Sequence, residues 1–174
     1  SVPLFIESIL NLNTNSKKKI KALIVGDGEQ KQKLISKVNS SNDKSCFDFY
    51  GSLPNDIVHN FYNQCHIFVS LNTLGNLCNT CLEAYVNGIC CIIPESNNNI
   101  DKTTDKLIPT NAVRRIKLEN LTANLTKEIE YLIKNPGEIK RNKFEIKKTS
   151  SSLIPTWNKR INEEKKIFTN LVND

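Results

Sequence analysis

Three short segments of this 174-residue chain combine residue types suited to holding an anionic ligand. The first is Gly26-Asp27-Gly28, directly after the apolar run Ala22-Leu23-Ile24-Val25. Glycines at a strand end let the backbone approach a ligand closely, and a helix starting just beyond favours negative charge. The segment stops short of the G-x-G-x-x-G fingerprint, because Lys31 stands three residues after Gly28. The second segment, Tyr50-Gly51-Ser52-Leu53, repeats the pattern of glycine at a strand end. The third runs from Leu71 to Ala84 and holds small polar residues, then a helix expected to start near Cys78 to Thr80. Its first amides have no partner within the helix, which suits a diphosphate. Glu83, one turn inside, is the lone carboxylate of that helix and is flanked by Leu82 and Ala84.

The six cysteines invite metal or redox chemistry and give it little support. Cys78-Asn79-Thr80-Cys81 is a C-x-x-C, but no second one follows, and the adjacent Cys90 and Cys91 must point to opposite faces of a strand. Cys46, Cys65, Cys90 and Cys91 lie in or beside apolar runs, where cysteine packs as a small hydrophobe. His59 and His66 have no motif spacing. The expectation is structural, reduced cysteines, no metal site and a cytoplasmic compartment.

Those turns need elements to hold them, and hydrophobic periodicity supplies a repeating order of strand and helix. A helix face spans Pro3 to Leu12, and a buried strand spans Lys21 to Val25. A helix runs from about Glu29 to Val38, a strand from Phe47 to Tyr50, and a helix opens at Pro54, with Asn55 or Asp56 suited to cap it. Then come a strand from His66 to Leu71, a helix through Cys81 to Val86 stopped by Gly88, and a strand from Cys90 to Ile93. Two weaker extended stretches follow, Lys106 to Ile108 and Ala112 to Ile116. Helices are expected over Leu121 to Lys134, Gly137 to about Thr149, and Pro155 to Leu171. The alternation implies an α/β fold, a Rossmann-like doubly wound parallel sheet with a C-terminal helical tail. In such a sheet, ligands sit where strand ends meet helix starts, which is where all three segments lie.

Composition narrows the class. The net charge is +6, but only four of the 24 basic residues are Arg, and the 24 Asn point to a background drift in usage. Arg-based base readout and interleaved aromatics are both missing, so no nucleic-acid partner is expected. No apolar run approaches the roughly 18–20 residues of a membrane span, and no signal-peptide pattern opens the chain. A soluble single domain over 1–174 is expected. The lack of any Met suggests a piece of a longer chain.

Taken in order, the stretches Ala22 to Gly28 (ALIVGDG), Phe49 to Leu53 (FYGSL), Val58 to Ser70 (VHNFYNQCHIFVS) and Asn76 to Gly88 (NLCNTCLEAYVNG) resemble the C-terminal half of a family 4 glycosyltransferase of GT-B architecture. Trp157-Asn158-Lys159-Arg160 and a terminal helix close the set, which covers nearly the whole chain. The resemblance implies the nucleotide-sugar-binding domain of a retaining hexosyltransferase that uses a UDP- or GDP-sugar donor and requires no metal cofactor. It implies a glycan or lipid-linked acceptor bound by an N-terminal domain outside this chain, through which any membrane contact would also run.

Carried over by position, the resemblance places Glu83 on the ribose hydroxyls, as the second glutamate of the family's E-x7-E. It places the segment Asn76, Leu77, Cys78, Asn79 and Thr80 at the diphosphate and sugar, Ser52 and Leu53 at the base, and Gly26 and Gly28 on the cleft floor. Gly75 occupies the position of the first glutamate, and the family's diphosphate-neutralising Arg and Lys fall before Ser1. A catalytic residue is therefore not assigned. Two alternatives stay open: a degenerate GT-B domain kept for interaction, and half of a sugar-nucleotide epimerase.

Overall fold

A computed structural model describes residues 1–16, 19–73, 78–96, 108–153 and 157–173. Seven helices and five strands alternate among them: α1 (Val2–Asn15), β1 (Ala22–Val25), α2 (Lys31–Asn39), β2 (Phe47–Gly51), α3 (Asn55–Tyr62), β3 (Ile67–Val69), α4 (Asn79–Val86), β4 (Cys90–Pro94), β5 (Arg114–Ile116), α5 (Leu121–Lys134), α6 (Pro136–Leu153) and α7 (Trp157–Asn173). All pairings between strands are parallel. β1 pairs with β2, and β3, β4 and β5 pair in that order. This is the α/β architecture expected from the alternation of apolar runs.

Boundaries moved where local chemistry intervened. α3 starts one residue earlier than the expected cap, with Pro54 at the N-cap position and Asn55 already helical. Proline's fixed φ favours a helix start, and here it displaces the polar cap. The expected strand over Ala112 to Ile116 shortens to Arg114–Ile116, and Ile108 lies outside any strand yet is buried. Lys106 and Leu107 lie outside the described residues.

Two apolar cores flank the strands, and β4 divides them. Cys90 and Ile92 join a cluster with Ile6, Ile9 and Leu12 of α1, Ala22, Phe47, and Leu125, Ile129 and Leu132 of α5. Cys91 and Ile93 join the opposite cluster, with Tyr62, Cys81, Ala84, Tyr85, Val113 and Ile146. This is the period-two alternation of a strand buried on both faces. Because the first cluster contains residues of β1, β2 and β4, it ties the two ladders into one body.

Buried polar groups in α1 are satisfied. Ser8 Oγ reaches the Leu4 carbonyl at 2.9 Å and the Thr122 carbonyl at 3.1 Å, tying α1 to α5. Asn13 receives the Ile20 N–H at 2.8 Å and donates to the Ile20 carbonyl at 3.2 Å, which aligns the chain entering β1. On the other side α6 packs on α4 and β4, placing Ile146 in the core. The described side chains of α7 are all exposed.

Candidate functional site

At the ends of β1 and β2 the chain closes on itself through two glycines. The Gly26 N–H donates to the Gly51 carbonyl at 2.7 Å, just past the point where the β1–β2 register shifts. Gly26 has φ 129° and Gly51 has φ 71°, conformations that side chains rarely adopt. Gly28 follows in open space, exposed, its N–H donating to Asp27 Oδ1 at 3.0 Å. Ser52 is exposed and Leu53 half-buried in the connection to α3. The four residues expected to meet the base and the cleft floor therefore share the carboxyl ends of β1 and β2.

A cation also sits there. Lys31 Nζ is 3.1 Å from Asp27 Oδ2, and a side chain at Gly51 would meet that ammonium at 2.9 Å. The Lys31 contact, reinforced by the Gly28 amide, holds the Asp27 carboxyl below its ordinary range. In the sequence Lys31 was legible only as the residue that interrupts a glycine motif. Its i, i+4 spacing from Asp27 was the signal that would have found the pair.

The second group lies at the start of α4. Cys78 is the N-cap with extended backbone, no side chain among the described residues caps the helix, and Asn79 and Thr80 are exposed in its first turn. The Cys81 and Leu82 amides turn back to the Cys78 carbonyl at 3.0 and 3.2 Å, whereas Asn79 and Thr80 precede these bonds. Asn76 and Leu77 lie outside the described residues, as does Gly75.

Glu83 is not a solvated helix charge. It is half-buried, and its Oε2 accepts the Tyr62 hydroxyl at 2.9 Å. Tyr62 is only 7% exposed, and burial together with the Glu83 carboxylate pushes its ionisation well above the ordinary tyrosine range. One carboxylate oxygen is thus held by a neutral donor, while the other keeps lone pairs for further donors. Tyr62 read in the sequence as one more apolar residue of α3, because nothing local marks a hydroxyl that finds its partner 21 residues away.

α3 stands between the two groups. Phe61 packs edge-on against Tyr50 with ring centroids 4.5 Å apart, next to the β2 tip. Tyr62, its neighbour, reaches α4. No described group of three or more His, Cys, Asp or Glu side chains could hold a metal ion. No helix among the described residues is long and apolar enough to cross a membrane.

Residues 1–150 match the model of the family described as glycosyl transferases group 1. The chain belongs to this family. Its fold is also that of solved GT-B glycosyltransferases. A sucrose-phosphate synthase from Thermosynechococcus elongatus aligns at TM-score 0.76 and 14% identity, over 97% of this chain and 42% of that one. A glycosyltransferase from Rickettsia africae aligns at TM-score 0.76 and 16% identity, over 99% and 44%. The catalytic domain of a cholesterol-α-glucosyltransferase from Helicobacter pylori aligns at TM-score 0.67 and 18% identity, over 87% and 89%. The chain thus spans less than half the length of the first two. No curated protein matches it by sequence.

Within this glycosyltransferase family fold, the parallel pairing of β1 with β2 accounts for why the first two segments lie together. Parallel strands place their following turns at one end of the ladder, so Gly26 and Ser52, far apart in sequence, lie at the same end of β1 and β2.

Proposed function

We propose that this chain is the donor half of a retaining family 4 glycosyltransferase, which transfers a hexose from a UDP- or GDP-sugar to a glycan or lipid-linked acceptor. In this reading the acceptor is bound by the family's N-terminal domain, and the cationic pair for the diphosphate lies in a strand and loop just before the helix that corresponds to α1. The reading extends to a metal-independent, cytoplasmic enzyme, in keeping with six free cysteines.

One observation carries the reading: a carboxylate, Glu83, oriented by a buried hydroxyl one turn inside a helix whose first amides are uncapped by any described side chain. A carboxylate suits vicinal ribose hydroxyls because it accepts from both. Tyr62 occupies Oε2 and leaves Oε1 for that task, so Tyr62 acts as a positioning residue. The Asn79 and Thr80 amides, together with the Leu77 segment, would meet diphosphate oxygens, favoured by the positive end of the helix dipole. Ser52 and Leu53 would border the base, and Gly26 and Gly28 would form the floor. This half contributes positioning and stabilisation of the leaving diphosphate, and needs no general base of its own.

Titration calorimetry of UDP and GDP in parallel tests the site. Binding of one nucleotide that falls on Glu83→Ala supports it, and unchanged heats in the variant would remove Glu83 from the site. The 174 residues alone are expected to transfer no sugar, and measurable transfer would overturn the assignment of the acceptor site to another domain. Gly75, in place of the first glutamate, favours a second reading, a domain that has lost turnover and kept its fold for interaction. Nucleotide binding with no transfer by the longer chain would decide for it.

A further inference from the structure

Three sulfurs gather where α4 begins, those of Cys78, Cys81 and Cys91. Cys78 is the N-cap, with φ −76° and ψ 151°, and Cys81 follows three residues later. The Cys81 N–H donates to the Cys78 carbonyl at 3.0 Å. A turn closed in this way holds its first and last Cα atoms within about 7 Å, and disulfides span roughly 4.4–6.8 Å between Cα atoms. An N-cap side chain also folds back over the first turn of its helix, and Cys78 Sγ lies 3.2 Å from Thr80 Oγ1. The pair therefore has the backbone reach for a bond, which forms once the Cys78 sulfur leaves Thr80 Oγ1 and the Cys81 sulfur leaves Cys91.

The two thiols differ in a way that suits sequential chemistry. Cys78 is half-buried and packs against the cluster in which Cys81 and Cys91 are fully enclosed. Cys91 has two acceptors within reach of its S–H, the Ile89 carbonyl at 3.3 Å and the Cys81 sulfur. When Cys81 ionises, that proton can turn to it, and the Arg115 guanidinium adds a positive charge. Both hold the Cys81 thiol below its ordinary range despite burial, while Cys91 is pushed well up. Cys46 and Cys90 pack with the opposite core and take no part.

We propose that Cys78 and Cys81 form a reversible disulfide at the start of α4, with Cys78 meeting a low-molecular-weight disulfide from solvent and Cys81 resolving the adduct. The Cys78 thiolate attacks one sulfur of oxidised glutathione, forming a mixed disulfide and releasing one glutathione thiolate. The Cys81 thiolate then attacks the Cys78 sulfur, forming the internal bond and releasing the second. Two protein thiols are oxidised, and one glutathione disulfide is reduced to two thiols. Closing the bond pulls Cys78 Sγ from Thr80 Oγ1 and from Ser70 Oγ, 3.6 Å away, and so reshapes the helix start. Any effect on a bound diphosphate rests on the donor-site reading, whereas the bond itself does not.

The test is incubation of the 174-residue chain with oxidised glutathione, acid quench, alkylation under denaturing conditions and mass mapping of chymotryptic peptides. The expected product has lost two hydrogens, carries no glutathione, maps to Cys78–Cys81, and is restored by dithiothreitol. Cys81→Ser is expected to stop at a glutathione adduct on Cys78, and Cys78→Ser to form neither adduct nor bond. Serine is a good N-cap, which favours folding of Cys78→Ser, and both variants are checked for native circular dichroism; if either fails to fold, the wild-type map decides alone. Six unoxidised thiols in the wild type, a bond mapped to Cys91, or two thiols lost in Cys78→Ser would each overturn the proposal.

Discussion

Tyr62→Phe isolates the contact on which the candidate site depends. The substitution removes one hydroxyl and keeps the ring of a side chain only 7% exposed; it leaves Oε2 of Glu83 without its 2.9 Å donor and gives up the longer 3.4 Å contact of that hydroxyl to the Thr80 carbonyl. A hydrogen bond to a charged group is worth about 1.5–3 kcal/mol. Glu83 is half-buried, so water replaces part of the loss, and the lower end, about 1–1.5 kcal/mol, is expected. For a chain of this size that is a fall in Tm of roughly 2–6 °C.

The pH dependence separates this bond from general packing. Because the Tyr62 ionisation is raised in the folded state, the unfolded chain releases this proton from pH 10 upward while the folded chain keeps it. Wild-type stability therefore falls above pH 10, by up to about 1.4 kcal/mol per pH unit for this group. The Phe variant lacks that dependence, and the other raised groups, Lys21, Cys65, Tyr85, Cys90, Cys91 and Arg114, are present in both proteins. The gap between the two proteins is expected to be full at pH 7 and to close by about pH 11. Urea unfolding followed by circular dichroism at pH 7, 9, 10 and 11 measures it. A gap that is absent at pH 7, or constant to pH 11, would refute the bond as the source.

Other outcomes follow from the same geometry. Gly51→Ala puts a side chain at φ 71° and 2.9 Å from Lys31 Nζ, and is expected to cost about 1–2 kcal/mol in urea unfolding. Lys31→Gln is expected to raise the Asp27 carboxyl toward its ordinary value, read by NMR titration, because Lys31 is the largest cause of its lowering. Leu132→Ala empties a fully buried position between α5 and the sheet and is expected to cost about 2–5 kcal/mol. Burial pushes the Cys90 thiol up to about 12, so it is expected to stay unalkylated by iodoacetamide at pH 8.5 in the native protein and to react once urea unfolds it.

The sequence by itself determined the order of the elements, because burial on both faces writes long apolar runs such as Cys90-Cys91-Ile92-Ile93 and helices write their own period. It placed Glu83 and Cys78 at the start of a helix for the same local reason, and the glycines at strand ends because turns demand them. It also showed that Cys90 and Cys91 would face opposite ways, as their separate cores bear out. What it did not determine was partnership. The Pro54 helix start displaced the polar cap expected at Asn55 or Asp56, and the Tyr62 hydroxyl found Glu83 across two elements. Lys31 came to rest over Gly51 because β1 and β2 lie side by side. Period and propensity are properties of neighbours in the chain, whereas a hydrogen bond across 21 residues exists only once packing has set the distance. The tertiary structure decided which of the polar side chains is held in place, and that is what turns a lone helix carboxylate into a candidate ligand for a nucleotide.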